Sequence, residues 1–294
     1  MTNTIAIFGL LVVLMAIGMP VGVALGLTVL SFMFIFTDVP LESVALKMFT
    51  GIEKFEIMAI PFFILAGNFL THGGVARRMI NFATSMVGHL RGGLGMSAVL
   101  ACALFAAVSG SSPATVVAIG SILIPAMIKQ GYPVRFGAGV VASAGGLGIL
   151  IPPSIVMVMY SVTTNSSVGA LFMAGVIPGL LLAFMLGLTT WYVARKNNYP
   201  VMPSVSWGER FAAFRKAFWG LMLIVVVMGG IYSGMFTPTE AAAMSAVYAF
   251  FIAVFVYKDL TFKQIPRVLL DSANMSAMLL FIIASAVLFS FILT

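Results

Sequence analysis

The stretch "FAAVSGSSPATVVAIG", Phe105–Gly120, decides how this chain is read. It lies within a run from Leu94 to Ile128 that carries no charged side chain. A helix crossing a bilayer satisfies its own backbone and would normally pass through such a run unbroken. Here Ser109, Gly110, Ser111, Ser112 and Pro113 interrupt it midway, after which it resumes. Glycine frees the backbone and proline cannot donate an i→i−4 hydrogen bond. The pattern therefore predicts a helix that stops, turns and restarts.

The surrounding composition says what kind of solvent the chain meets. Of 294 residues, 62% are hydrophobic and only 8% charged, with a mean hydropathy of +1.16. Globular domains carry about a quarter charged residues. Apolar segments fall at 4–19, 20–36, 55–71, 94–109 with 113–128, 135–149 with 153–163, 169–194, 217–235, 238–257 and 272–294. Several reach the roughly 20 residues that span a bilayer as a helix. The fold class expected is an all-α polytopic membrane protein. Cys102 is the single cysteine, which excludes an internal disulfide, and with His72 and His89 it offers too few ligands for a metal centre. No Lys or Arg precedes the first apolar run, which argues against a cleaved secretory signal.

The net charge of +7 would suggest nucleic acid in a soluble protein. Here loop topology explains it, and no nucleic-acid partner is expected. If 72–93, 129–135, 195–216 and 258–271 are cytoplasmic, they hold thirteen of the fifteen Lys and Arg residues. Lys47 and Lys54 remain, in a loop that also carries Asp38, Glu42, Glu53 and Glu56. Such a bias sets orientation, and it puts the N-terminus on the periplasmic side. Because 72–93 and 129–135 then share a side, 94–128 enters and returns as a re-entrant hairpin with its tip at Ser109–Pro113. Irregular backbone at that depth is tolerated where protein buries it or it lines a watery cavity. Segment 74–93 reads as an amphipathic surface arm.

Two pairs of segments look alike. "LLVVLMAIGMPVGVALGL" (10–27) and "LIVVVMGGIYSGMFTPTEAAAMSA" (223–246) are apolar, break at Gly…Pro and restart on small residues. Residues 46–70 and 269–293 match in length and apolar phasing. One copy would begin outside and the other inside. Inverted repeats with broken helices are a mark of secondary transporters. The domain reading is a first repeat over 1–197, with scaffold helices 4–71, arm 74–90, hairpin 94–128, broken helix 135–163 and helix 169–194. A cytoplasmic linker follows at 198–216, and 217–294 starts an incomplete inverted repeat. Because the second copy stops at Thr294, the chain is expected to be part of a longer protein.

Three breaks share one design. In "SGSSPAT", Ser112 is the expected N-cap, Pro113 N1 and Thr115 N3. In "GGLGILIPPS" (145–154), Gly145, Gly146 and Gly148 loosen the helix, and Pro152 and Pro153 delay its restart to about Ser154. In "GMFTPTEAAA" (234–243), Thr237, Pro238 and Glu240 have capping-box spacing, and structural capping accounts for them. The first two breaks are costly as mere turns. A half-helix starting in mid-membrane offers free N–H groups and a positive dipole end to an anion, while unwound carbonyls and hydroxyls suit Na⁺. Candidate substrate-binding residues are Ser111, Ser112, Pro113, Thr115 and Ser154. Asn68, His72 and Asn165 read as hydrogen-bonded helix-end residues rather than ligands.

Four stretches carry a family resemblance: "SGSSPATVVAIGSILIPAM" (109–127), "GYPVRFGAGVVASAGGLGILIPPSIVMVMY" (131–160), "FMAGVIPGLL" (172–181) and "SGMFTPTEAAA" (233–243). With them the chain resembles the large membrane subunit of TRAP transporters (tripartite ATP-independent periplasmic, DctM-like), from about residue 5 to 294. The resemblance implies an inverted-repeat, elevator-type, Na⁺-driven importer of organic acids, of C4-dicarboxylate or sialic-acid type, in the bacterial inner membrane. It implies two protein partners, a small DctQ-like membrane subunit and a periplasmic substrate-binding protein. It maps a first Na⁺ site onto Ser109, Ser111 and Ser112 at the tip and Gly146, Gly148, Ile149 and Pro152 at the break. It also implies a longer protein, with a second hairpin and a second broken helix beyond Thr294. Neither a cofactor nor an enzymatic reaction is expected.

Two rival functions make distinct demands. An intramembrane serine protease could use "AVSGSS" (107–112), but it needs a general base within hydrogen-bond reach of the serine. A passive channel would need no half-helix N-termini aimed at an anion, and its flux would not depend on Na⁺.

Overall fold

The computed structural model describes residues 2–36, 40 and 42–293, with side chains from residue 4 onward. Asp38 of the acidic loop and Thr294 lie outside the described residues. Every described regular element is helical: α1 Thr2–Ala16, α2 Val21–Phe36, α3 Glu42–Ile52, α4 Ala59–His72 and α5 Val75–Val87 come first. There follow α6 Gly93–Ser109, α7 Ser112–Lys129, α8 Val134–Gly145, the short α9 Leu147–Leu150 and α10 Ile155–Thr164. The chain continues with α11 Val168–Lys196, α12 Trp207–Tyr232, α13 Pro238–Phe251 and α14 Ile265–Leu293. Among the described residues, six helices are long and apolar enough to cross a membrane, or seven if α8–α10, bent by 44°, count as one broken span.

The chain divides into two compact units, 1–57 with 273–294 and 58–272. In the first, Ile7, Val29, Met33, Leu288 and Phe289 form the buried core. Glycines let its helices approach closely. A Cβ on Gly51 would meet the Val287 side chain at 2.9 Å, and one on Gly22 would meet the Phe281 ring at 2.8 Å. Close backbone approach through small residues is how helices associate where lipid removes the hydrophobic drive.

In the second unit, α4 packs on α13, α5 lies between α6 and α12, and α6, α7 and α8 pack together. The α6–α7 pair is a hairpin. Tyr132, just past α7, lies beside the Leu94 backbone at the start of α6, so α7 returns to the end where α6 begins. Tyr132 also packs with Phe136 and Tyr199, at ring separations of 5.9 and 5.1 Å, and donates to the Pro200 carbonyl at 2.9 Å. The start of α6, the end of α7, the start of α8 and the end of α11 thus meet at one end, together with Lys129, Arg135 and Arg195.

Helix α5 is fastened on its other side. Arg78 pairs with Asp259, stacks 3.8 Å above the Tyr257 ring and donates to the Gly74 carbonyl at 3.0 Å. The Tyr257 hydroxyl, pushed above its ordinary range by burial, donates to the Lys216 carbonyl at 2.7 Å and so brings in α12.

Helix ends depart from the hydropathy reading in two places. The irregular stretch after α11 is shorter than 198–216, because α12 begins at Trp207. There Ser206 accepts from Glu209 N while the Glu209 carboxylate accepts from Ser206 N at 3.0 Å. Likewise α14 begins at Ile265 rather than near 272. Hydropathy marks where a helix meets lipid, whereas its true end is set by capping, so polar and basic first turns are missed. At α13 the capping box is complete: Glu240 accepts from Thr237 N at 2.8 Å and donates its own N–H to Thr237 Oγ1 at 3.3 Å. Thr237→Ala is expected to cost about 1 kcal/mol, read as a lower melting temperature in detergent.

Candidate functional site

The site is built where the hairpin tip meets the broken helix. Helix α6 ends on Gly110, which is left-handed at φ +61°, and Ser111 follows in extended conformation as the N-cap of α7. This corrects the expected cap by one residue. Ser111 rather than Ser112 is the N-cap, Ser112 is the first helical residue and Pro113 the second. The reason is that the Ser111 carbonyl, not that of Ser112, accepts the first helical bonds, from Thr115 N at 3.0 Å and Thr115 Oγ1 at 2.8 Å. Buried Thr115 also meets buried Ser109, Oγ to Oγ1, at 3.1 Å. Ser109 and Thr115 thus staple the tip shut with their hydroxyls.

The second break repeats this arrangement. Pro152 and Pro153 hold the chain open after α9, and Ser154 is the N-cap of α10, in the same extended conformation as Ser111. Neither cap serine closes its own helix with its side chain.

The two breaks touch through backbone. Ile155 N, at the start of α10, donates to the Gly110 carbonyl at 3.1 Å. A Cβ on Gly110 would sit 2.8 Å from the Pro153 carbonyl oxygen. A Cβ on Gly148 would sit 2.9 Å from Ser112 N and 3.0 Å from the Ser111 carbonyl carbon. Gly146 takes no part in this contact, since the nearest atom to its Cβ position is the Ser143 carbonyl of its own helix, at 3.2 Å. Ile149 is 42% exposed, and Pro152 is buried.

Flanking helices complete the enclosure with small residues that sequence reading did not single out. Gly67 of α4 presses on Ser109, its Cβ position lying 3.3 Å from the Ser109 carbonyl. On α11, Gly175 and Gly179 press on Leu150 and Ile151, at 2.5 Å from the Leu150 carbonyl and 2.8 Å from Ile151 Cγ1. These two glycines have the small-xxx-small spacing of close helix contacts, a signal present in "AGVIPG". Sixteen residues of α6 separate the tip from the basic end, roughly 24 Å at 1.5 Å per residue.

Two polar atoms at this junction stand out. Ser112 Oγ and Ser154 Oγ are buried and have no hydrogen-bond partner among the described residues. A buried hydroxyl without a partner costs about 1–3 kcal/mol. The two lie on the first turns of α7 and α10, whose free N–H groups and dipoles favour an anion. Hydroxyl and carbonyl oxygens are also the donor set of a hard cation such as Na⁺. No group of three or more His, Cys, Asp or Glu residues that could bind a metal occurs among the described residues. Asn68 is not at a helix end. It bridges from α4 to Ser272 of α14 at 2.8 Å, while His72 Nδ1 bonds the Asn68 carbonyl at 2.9 Å and Asn165 caps α10 in left-handed conformation.

Several apolar helices long enough to cross a membrane, around a helical hairpin and a broken helix, define a polytopic α-helical membrane protein. The chain belongs to the family of the DctM component of tripartite ATP-independent periplasmic transporters, whose sequence model matches residues 8–294. It is 68% identical, over 99% of its length, to the C4-dicarboxylate TRAP transporter large permease protein DctM of Rhodobacter capsulatus, covering 69% of that protein. It is 56% identical over 92% of its length to the protein of the same description from Pseudomonas aeruginosa, covering 64% of it. To the sialic acid TRAP transporter large permease protein SiaM of Vibrio cholerae it is 38% identical over 98%, covering 67%. The chain therefore spans about two thirds of the length of these relatives.

Proposed function

We propose that this chain forms the first substrate and ion half-site of a Na⁺-driven importer of C4-dicarboxylates. It would work in a bacterial inner membrane with a small membrane subunit and a periplasmic binding protein. The observation that carries this is the meeting of two half-helix starts, each with a buried, unpartnered serine hydroxyl, at one junction. A dicarboxylate brings negative charge to the N-termini of α7 and α10, and Na⁺ takes oxygens from the unwound backbone and the hydroxyls. The choice of C4-dicarboxylate rests on the names of the two relatives at 68% and 56% identity.

With Lys129, Arg135 and Arg195 at the cytoplasmic face, roughly 24 Å of α6 carries the tip well into the apolar slab. That orientation puts the N-terminus in the periplasm. The inverted repeat gives the half-site a counterpart, and an elevator motion moves the hairpin and broken helix as one body. Their shared contact at Gly110, Gly148 and Ile155 supports joint movement. A protease reading lacks its base: Ser112 Oγ has no partner, and Ser109 bonds only Thr115 and the Ser111 backbone among the described residues.

The test is uptake of labelled succinate into proteoliposomes holding a permease that carries this chain, with its small subunit and binding protein. Uptake is expected only with an inward Na⁺ gradient. Equal uptake in K⁺ would overturn Na⁺ coupling, and uptake without the binding protein would favour a passive channel.

A further inference from the structure

A second polar cavity lies away from the tip, between the α4–α5 corner and the return limb of the hairpin. It has a volume of about 280 Å³. Thr71 and His72 end α4 on one wall, and Gly74 and Arg77 open α5 beside them. The opposite wall is α7, which contributes Val117, Ser121 and Ile122. Asp259 also lines it, but its charge is taken up by Arg78. Arg77 forms no ion pair among the described residues and is exposed. His72 Nδ1 donates to the Asn68 carbonyl, so in the neutral ring Nε2 is an acceptor and His72 contributes shape to the wall rather than a donor. Gly74, the N-cap of α5, has no side chain, so the first turn of that helix presents its N–H groups uncapped.

One wall thus carries the Arg77 guanidinium beside the start of α5. The other is apolar and faces outward, with Val117 67% and Ile122 37% exposed. A wholly water-soluble anion has no use for the second wall. An amphiphile uses both, with its phosphate at Arg77 and the start of α5, and the top of an acyl chain along α7. Basic pockets between membrane helices on the cytoplasmic side take such head groups.

We propose that this cavity binds the head group of an anionic phospholipid, with phosphatidylglycerol as the test case. Bound there, the lipid bridges the amphipathic helix α5 and the hairpin limb α7, so the leaflet's composition bears on how firmly the hairpin is held.

The experiment uses the full chain purified in detergent, with lipid retention read by native mass spectrometry and thermal stability read in parallel. Phosphatidylglycerol is expected to be retained in preference to phosphatidylcholine and to raise the melting temperature. Arg77→Gln should lower that retention roughly fivefold, on the basis of about 1 kcal/mol per cation near a head group. Arg135→Gln, which removes equal charge outside the cavity wall around Arg77, should leave it unchanged. Ser121→Phe fills the cavity from the apolar side with every charge kept, and should also lower retention. Three results would overturn the proposal: equal retention of the two lipids, wild-type retention in either cavity variant, or equal stabilisation by inorganic phosphate without lipid.

Discussion

Gly148→Val is expected to lower Na⁺-dependent uptake by about 100-fold or more, while the protein still inserts and can be purified. The Cβ alone would lie 2.9 Å from Ser112 N and 3.1 Å from Ser112 Cα. Those atoms are backbone at the start of a helix, and they cannot rotate aside as a flexible side chain would. Overpacking of this kind costs about 1–3 kcal/mol of stability, occasionally more. Its larger effect is geometric, because it wedges the hairpin tip away from the broken helix. Displacing a site by about 1 Å can cost on the order of 100-fold in function. The control is Gly139→Val, also on the broken span, where nothing lies within 4 Å of the Cβ position. Gly139→Val should retain uptake within a few-fold. Wild-type uptake by Gly148→Val would show that the contact between the two breaks is not part of the site.

Ser112→Ala combined with Ser154→Ala is expected to separate stability from function in the opposite sense. Both hydroxyls are buried without a partner among the described residues, so removing them takes away no hydrogen bond seen there. Melting in Na⁺-free buffer should be unchanged or slightly higher, since an unsatisfied buried polar group is itself a cost. Stabilisation by added Na⁺ or succinate should largely vanish. A hydrogen bond to a charged group contributes about 1.5–3 kcal/mol. Each lost hydroxyl therefore predicts a roughly 10- to 100-fold weaker apparent affinity. The measurement is melting temperature against Na⁺ and against succinate for both single variants and the double. A double variant that melts several degrees lower in Na⁺-free buffer, with its ligand shifts intact, would mean the serines are structural.

How much of this was legible beforehand depended on how local the physics was. Thr237, Pro238 and Glu240 could be read as a cap because N-cap and N3 lie within one helical turn. The break at Ser109–Pro113 and the restart after Pro153 could be read because Gly and Pro act on their own backbone. The one-residue error at Ser111 has a local cause as well. Two consecutive serines can each cap a helix, and the choice was made by which carbonyl Thr115 reaches. Helix α12 begins ten residues before its apolar stretch because Ser206 and Glu209 cap it there, a spacing that stands in the sequence.

Residues of the candidate site were partly legible and partly not. Ser109, Ser111, Ser112, Thr115 and Ser154 were named because hydroxyls at a membrane break are conspicuous. Gly148 was named together with Gly146, and sequence offered no means of ranking them. The structure separates the two, since only Gly148 abuts the hairpin backbone. Gly110 looked like a turn residue, yet its carbonyl also receives Ile155 N from 45 positions along the chain. Gly67, Gly175 and Gly179 looked like ordinary small residues of apolar helices.

Hydropathy settled that this is a bundle of membrane helices, because transfer from water to lipid is summed residue by residue along the chain. Capping and breaker chemistry settled where the backbone opens, because those interactions act within one turn. Which two openings face each other, and which serines are left without a partner there, was decided only by tertiary packing. That outcome depends on glycines in α4, α9 and α11 fitting against backbone far away in sequence, and no local pattern encodes such a fit.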